Sequence, residues 1–157
     1  MLGTALRCHG DAFDVDAFIA RTPLDVRTVW RRGLPWRPGA REAAHTSGFA
    51  VEVSRATERV AQVADAERFV TGFADELATL VGWPGVERVW LDFLVASRLG
   101  ADVLGHAETF PATLLAALGA LGLDLEVTIV DGPDIPAADL LRAAHRKSSD
   151  RDTGDHA

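Results

Sequence analysis

The sequence predicts an α+β domain: a two-layer sandwich in which helices cover one face of a roughly four-stranded sheet, mostly antiparallel or mixed. Four segments alternate strictly between apolar and polar residues, which is typical of strands with one buried face. Three other segments carry apolar residues at steps of three and four, the spacing of an amphipathic helix. Strands and helices that each have one apolar side bury those sides against each other, so the pattern favours two layers.

The predicted strands share an alternation that separates a core side from an outer side. In the first of them Leu6 and Cys8 fall on one side, and Arg7 and His9 fall on the other. The four predicted strands are Leu2–His9, Phe49–Ser54, Glu87–Ala96 and Leu123–Ile129.

The predicted helices are bounded by capping residues and by proline or glycine. Asp14 can cap a short helix that ends before Pro23. A longer helix over Ala64–Val81 presents an apolar stripe with Phe73 at its middle. A third, Thr109–Leu121, has Thr109 as its N-cap, Pro111 in its first turn and Gly122 after its end.

Length and composition limit the classes of protein to which the chain can belong. Its 157 residues suit one domain, which we place at 1–135, followed by a short helix at 136–146 and a disordered polar tail. A single cysteine and an N-terminus without a secretory pattern favour the cytoplasm. The formal net charge of −7 disfavours general binding to nucleic acid or to an anionic membrane.

The segment between Thr22 and Ser47 shows no regular period and is punctuated by proline and glycine. It is too long for an ordinary turn. Because it carries Trp30 and Trp36, we expect it to be held against the body of the domain as a loop.

Two motifs in this segment carry a resemblance to a known family. Thr22-Pro-Leu-Asp-Val26 is followed by Val29-Trp-Arg-Arg-Gly-Leu-Pro35. This combination resembles an uncharacterised bacterial family of small α+β domains of unknown function, over roughly residues 2–130. Leu34 departs from the polar residue expected there.

What the resemblance implies about function is a binding role. Some similar small bacterial domains are regarded as immunity proteins, so the resemblance implies a toxin-like protein as partner. It carries over no catalytic residues.

The same segment contains a cluster of positive charge in an acidic protein. Five arginines lie between Val26 and Glu42 with no acidic residue among them. Together with the two tryptophans they could bind an anion or an acidic partner; alternatively, they pair with the protein's own carboxylates and hold the loop down. The candidate binding residues here are Arg27, Trp30, Arg31, Arg32, Trp36, Arg37 and Arg41.

The outer side of the predicted sheet adds Trp90 as a further candidate. A large ring among charged residues is either covered by the 22–47 loop or available as a binding anchor. The residues predicted on this side are Arg7, His9, Glu52, Arg88, Trp90, Asp92, Glu126 and Thr128.

Catalytic signals are weak throughout the chain. The titratable candidates are Cys8, His9, Asp11, His45, Asp102 and His106. Cys8 and His9 are adjacent in a strand and therefore point to opposite faces, so they cannot form a nucleophile–base pair. With no motif for metal, thiol, acyl or nucleotide chemistry, we expect no metal and no cofactor.

These observations favour a non-enzymatic cytoplasmic binding module that binds another protein, as an immunity protein does. The alternative is a small enzyme or sensor that holds an anionic small molecule under the arginine-rich loop.

Overall fold

A computed structural model describes residues 3–36, 39, 41–96 and 108–130 of the chain. Their elements follow the order β1, α1, β2, β3, α2, α3, β4, α4, β5. The strands are β1 (Thr4–Gly10), β2 (Val26–Trp30), β3 (Ser47–Ser54), β4 (Arg88–Ala96) and β5 (Asp124–Val130). The helices are α1 (Val15–Ile19), α2 (Arg59–Gly72), α3 (Ala74–Val81) and α4 (Ala112–Leu121).

The strands form one mixed sheet in the order β2-β3-β1-β4-β5. β1 is central and pairs antiparallel with β3 and with β4, while β4 and β5 run parallel. The α+β class is therefore confirmed, with five strands where four were predicted. The parallel pair follows from α4, which carries the chain back across the sheet between β4 and β5.

The hydrophobic core lies between the helices and one face of the sheet. Leu6 and Cys8 of β1, fully buried, belong to the same cluster as Phe49 of β3 and Phe93 of β4. All four helices contribute to this cluster, through Val15, Phe18, Val63, Ala66, Val70, Leu77, Leu80, Leu114 and Leu118. We call the opposite side of the sheet the second face; it carries the alternate residues of the strands, including Arg7, Trp90 and Asp92.

The prediction that residues 22–47 contain no strand was wrong. Val26–Trp30 forms β2, an edge strand that pairs antiparallel with β3. The register shifts between Val26 and Thr28, which indicates a bulge. A five-residue strand with a shifted register does not keep the period of two that marks the longer strands.

The long predicted helix starts earlier than expected and is broken. It begins at Arg59 instead of Ala64, and it divides at Phe73 into α2 and α3. Gly72 is a poor helix former, and Phe73 leaves helical geometry with ψ of 23°. Phe73 is consequently only half-buried at a junction, and it is not the centre of a continuous buried stripe.

The ends of the two other helices match their capping signals in part. The Asp14 side chain accepts a hydrogen bond from the Ala17 amide, as predicted for α1. In α4 the N-cap is Pro111 instead of Thr109, while Gly122 ends the helix with φ of 72°. The segment before α4 is held by Arg59, whose guanidinium bonds Glu108 at 2.8 Å and lies over the rings of Phe93 and Phe110.

Several predictions fall outside the described residues: the connection over 97–107, the helix at 136–146 and the tail at 147–157. Within the described part of the chain, no helix has the length and apolar character required to cross a membrane.

Leu77→Ala should reduce the free energy of unfolding by about 2–5 kcal/mol, because it removes a fully buried side chain and leaves a cavity. Urea denaturation of the variant and the parent measures the loss. The control is Leu115→Ala in α4, where the side chain is 46% exposed and the change should stay within about 0.5–1 kcal/mol. Equal losses at the two positions would contradict the core described above.

Candidate functional site

The second face carries an ion pair that is almost completely buried. The Arg7 Nε atom donates to Asp92 Oδ2 at 2.9 Å, and the two side chains are 5% and 0% exposed. Arg7 and Asp92 are diagonal neighbours on the same face of the sheet. Arg7 of β1 lies opposite Trp90 of β4, and Asp92 follows Trp90 by two residues. Buried pairs of this kind are uncommon, because each ion loses its hydration.

The Asp92 carboxylate is shared between two donors. Its second oxygen, Oδ1, accepts a hydrogen bond from the Thr128 hydroxyl of β5 at 2.8 Å. Burial raises the pKa of the Asp92 carboxyl, and this loss of hydration outweighs the opposing effects of Arg7 and Thr128. The hydrogen bond between Arg7 and Asp92 uses only one carboxylate oxygen, Oδ2.

Three buried polar atoms around this pair have no hydrogen-bond partner among the residues that the structure describes. They are the Nη2 atom of Arg7, the Nε1 atom of Trp90 and the Nδ1 atom of His9. The Arg7 and Trp90 residues are 4% and 6% exposed. A buried donor without an acceptor costs about 1–3 kcal/mol, and more when it is charged, so native structures rarely contain three together.

The strand register brings these three residues together. Arg7 and Trp90 are directly opposite on antiparallel strands, and His9 follows Arg7 by two residues on the same face. The His9 and Trp90 rings meet edge to face with centroids 5.5 Å apart. Burial lowers the pKa of the His9 imidazole despite the nearby carboxylates of Glu87 and Asp11, so the ring is neutral at pH 7.

Arg88 forms the rim of this cluster. Its guanidinium lies 4.6 Å from the Trp90 ring and also bonds Asp124 at 2.8 Å and Glu126 at 3.0 Å. Burial opposes the charged form of Arg88, but these two carboxylates raise its pKa overall. Arg88 and His9 are only partly buried, whereas Arg7, Trp90 and Asp92 are buried.

Trp30 and Trp36, both predicted to bind, hold the loop after β2 against the sheet. Trp30 is 7% exposed in a second cluster with Ala44 and Ala50, and Trp36 packs against that cluster. The Trp30 indole lies directly on the backbone of Gly48, where an added Cβ would come within 2.5 Å of the ring. The two rings thus have a clear packing role.

Three of the predicted arginines pair with the protein's own carboxylates. Arg31 reaches Asp16 of α1 with two hydrogen bonds, one of them 2.8 Å from Nε, and this lowers the pKa of Asp16. Arg27 bonds Asp25 and lowers its pKa in the same way. Arg32 approaches Asp11 at 3.3 Å.

The two remaining arginines differ from these three. Arg41 is exposed and makes no ion pair with the described carboxylates, and Arg37 lies outside the described residues. Arg31 and Arg32 pair with carboxylates outside the 22–47 segment, whereas Arg27 pairs with Asp25 inside it. Binding of an external anion by this loop stays a prediction.

Trp90, the last predicted site residue, is buried on the second face, and sequence reasoning had treated its neighbours Arg7 and Asp92 as ordinary surface charges. Alternation places both residues on the outer side of the sheet, but no signal in the sequence indicates their burial, because that depends on β1 and β4 being neighbours in the middle of the sheet.

The titratable candidates do not form a catalytic arrangement in the described part of the chain. Burial raises the pKa of the Cys8 thiol to about 12, so it remains protonated, and it faces the core on the side opposite His9. Asp102 and His106 lie outside the described residues. Among residues 3–36, 39, 41–96 and 108–130, no three metal-binding side chains cluster closely enough to hold an ion.

Comparisons with protein-family models, with curated proteins and with solved structures returned no match.

Replacing both members of the ion pair with apolar residues should restore stability that replacing one member removes. Arg7→Met alone should cost about 3–5 kcal/mol, since it leaves Asp92 buried and unpaired, whereas Arg7→Met with Asp92→Leu should come close to the parent. Urea denaturation of the parent, both single variants and the double variant measures the coupling. A double variant as unstable as the worse single variant would show that the pair is required for folding.

Proposed function

We propose that this chain is a non-enzymatic binding domain that engages its partner through the second face of the sheet. The observation that carries the proposal is the group of three buried, unpartnered polar atoms on Arg7, His9 and Trp90. Groups of this kind lower the stability of the free protein and become favourable when a partner supplies the missing hydrogen bonds.

The rigidity of the surrounding structure supports a binding role. The cluster stands on β1 and β4, two neighbouring strands in the middle of the sheet, whose opposite side is the hydrophobic core. Side chains on such a support keep their positions better than side chains on a loop. Thr128 and Arg88 add contacts that fix Asp92 and Trp90.

The non-enzymatic part of the proposal is supported by the state of the most nucleophilic group. A thiol with a pKa of about 12 is not a nucleophile near neutral pH, and Cys8 lies within the hydrophobic core cluster of the described residues. The neutral His9 ring contacts Trp90 and is separated from Cys8 by the strand backbone.

The partner that we propose is another protein in the cytoplasm, as the resemblance to immunity-like bacterial domains implies. A net charge of −7 suits a basic partner, because opposite net charges accelerate association. The alternative of an anion bound under the arginine-rich loop has less support, since Arg27, Arg31 and Arg32 already pair with carboxylates.

Photo-cross-linking in the native cells tests the proposal. A benzophenone amino acid replaces Glu52, which is exposed on the second face, and in the control it replaces Val60, which is 83% exposed on α2. We expect a discrete cross-linked product from position 52 only, and we expect Trp90→Phe to abolish it, because that change removes the indole N–H and keeps an aromatic ring.

Two results would contradict the proposed function. One is the same product from positions 52 and 60, which would mean that the second face is not selective. The other is a product from position 52 that persists unchanged in Trp90→Phe, although circular dichroism shows that the variant is folded.

A further inference from the structure

We infer that the group recognised by the second face is a neutral amide, whose carbonyl oxygen accepts hydrogen bonds from Arg7 Nη2 and Trp90 Nε1 and whose N–H donates to His9 Nδ1. This inference rests on the proposed function and specifies the chemistry of the contact. The source of the amide is either the backbone of the partner or an Asn or Gln side chain.

The two unpartnered donors belong to neighbouring residues on the second face. Arg7 and Trp90 are opposite each other on antiparallel strands, a position in which side chains on the same face are immediate neighbours. A carbonyl oxygen has two lone pairs and can accept from two N–H groups at once. Arg7 and Trp90 are both more than nine-tenths buried, so their donors have little contact with bulk water.

Thr128 is the residue that keeps the Arg7 donor unoccupied. An arginine and a carboxylate normally meet as a fork, with Nε and Nη2 each bonding one oxygen, as Arg31 and Asp16 do in this protein. In the Arg7–Asp92 pair only Nε bonds the carboxylate, the second oxygen accepts from Thr128, and Nη2 has no acceptor among the described residues. Thr128 is thus a positioning residue for the site.

The charges around the site favour a neutral ligand over an anion. Arg7 is already balanced by Asp92, and Arg88 faces two carboxylates, Asp124 and Glu126. Glu87 and Asp11 lie close enough to influence His9. A ligand carboxylate would add a negative charge where carboxylates already outnumber guanidinium groups, and in a buried site that repulsion is weakly screened.

His9 distinguishes an amide from other neutral acceptors. Its ring is neutral, so Nδ1 can carry the lone pair that accepts an N–H, which an ester or ketone does not offer. His9 and Arg88 lie against the Trp90 ring and are the partly exposed members of the cluster.

The test is an NMR titration of the purified chain at pH 7 with acetamide, N-methylacetamide and acetate, which are nearly equal in size. We expect an amide to shift the Trp90 indole N–H signal downfield and to bind at least about tenfold more tightly than acetate. Tighter binding of N-methylacetamide identifies a backbone amide, and tighter binding of acetamide identifies an Asn or Gln side chain. Acetate binding as tightly as the amides, or no shift with any of the three, overturns the inference.

Two variants make the result specific to this site. Thr128→Val is almost isosteric and lets Asp92 take both Arg7 nitrogens, so amide binding should weaken by about tenfold or more while the fold is retained. Trp83→Phe is the matched control, since Trp83 contacts Phe18 on the core side, and binding should not change. Full amide binding in Thr128→Val would overturn the role assigned to that hydroxyl.

The failure of this inference can be told apart from failure of the proposed function. If cross-linking depends on position 52 and on Trp90 but acetate binds best, the second face is a binding surface for an anionic group. If cross-linking shows no dependence on the second face, the proposed function fails whichever small molecule binds.

Discussion

The buried ion pair between Arg7 and Asp92 is the interaction on which the polar cluster of the second face depends. Removing two charges from water costs several kcal/mol per ion, and one 2.9 Å hydrogen bond between them returns only part of that cost. Thr128 supplies one further bond to Asp92, and Arg7 Nη2 is left without any. Apolar residues of similar size at these positions would avoid this cost, and the proposed binding function offers a reason for the polar arrangement.

The central strand explains how the chain can maintain such a face. In β1 the side chains alternate, so Leu6 and Cys8 anchor the hydrophobic core while Arg7 and His9, on the same backbone, hold the site. Packing of the core therefore holds the strand on which Arg7 and His9 stand. Substitutions that loosen the core are expected to disturb binding as well.

The composition of the arginine-rich loop suggests a binding surface, but in the structure Arg31 and the two tryptophans contact the protein itself. Arg31 connects the end of β2 to Asp16 in α1, and Trp30 lies flat on the Gly48 backbone of β3. The loop also bonds itself, for example from the Gly33 amide to the Ala44 carbonyl at 2.8 Å. These contacts hold the loop against Ala50, which lies opposite Arg7 on the neighbouring strand.

The sequence was most informative where its period was regular. Alternation in four segments predicted four of the five strands and sorted Arg7, Trp90, Asp92 and Thr128 onto the correct side of the sheet. It missed β2, because five residues with a bulge do not show a period of two. It missed the break at Phe73, since the apolar spacing continues from α2 into α3 although the backbone does not.

The candidate site was predictable only as a list of residues on one face. Burial of Arg7 and Asp92 depends on β1 and β4 being neighbours in the centre of the sheet, which is a property of strand order. Single-sequence alternation determines which side a residue faces but carries no information about which strands are adjacent. The unpartnered atoms depend in turn on hydrogen-bond geometry, which no spacing rule provides.

The state of the Trp90 indole N–H in the free protein tests the central claim most directly. Its signal can be assigned in a ¹H–¹⁵N spectrum by comparison with Trp90→Phe, and both its chemical shift and its exchange with solvent can then be measured. The structure predicts an upfield proton shift, as for an N–H without an acceptor, together with slow exchange because the group is buried. A downfield, hydrogen-bonded shift, or rapid exchange with water, would show that the donor is already satisfied and would contradict the account of the second face as a binding site.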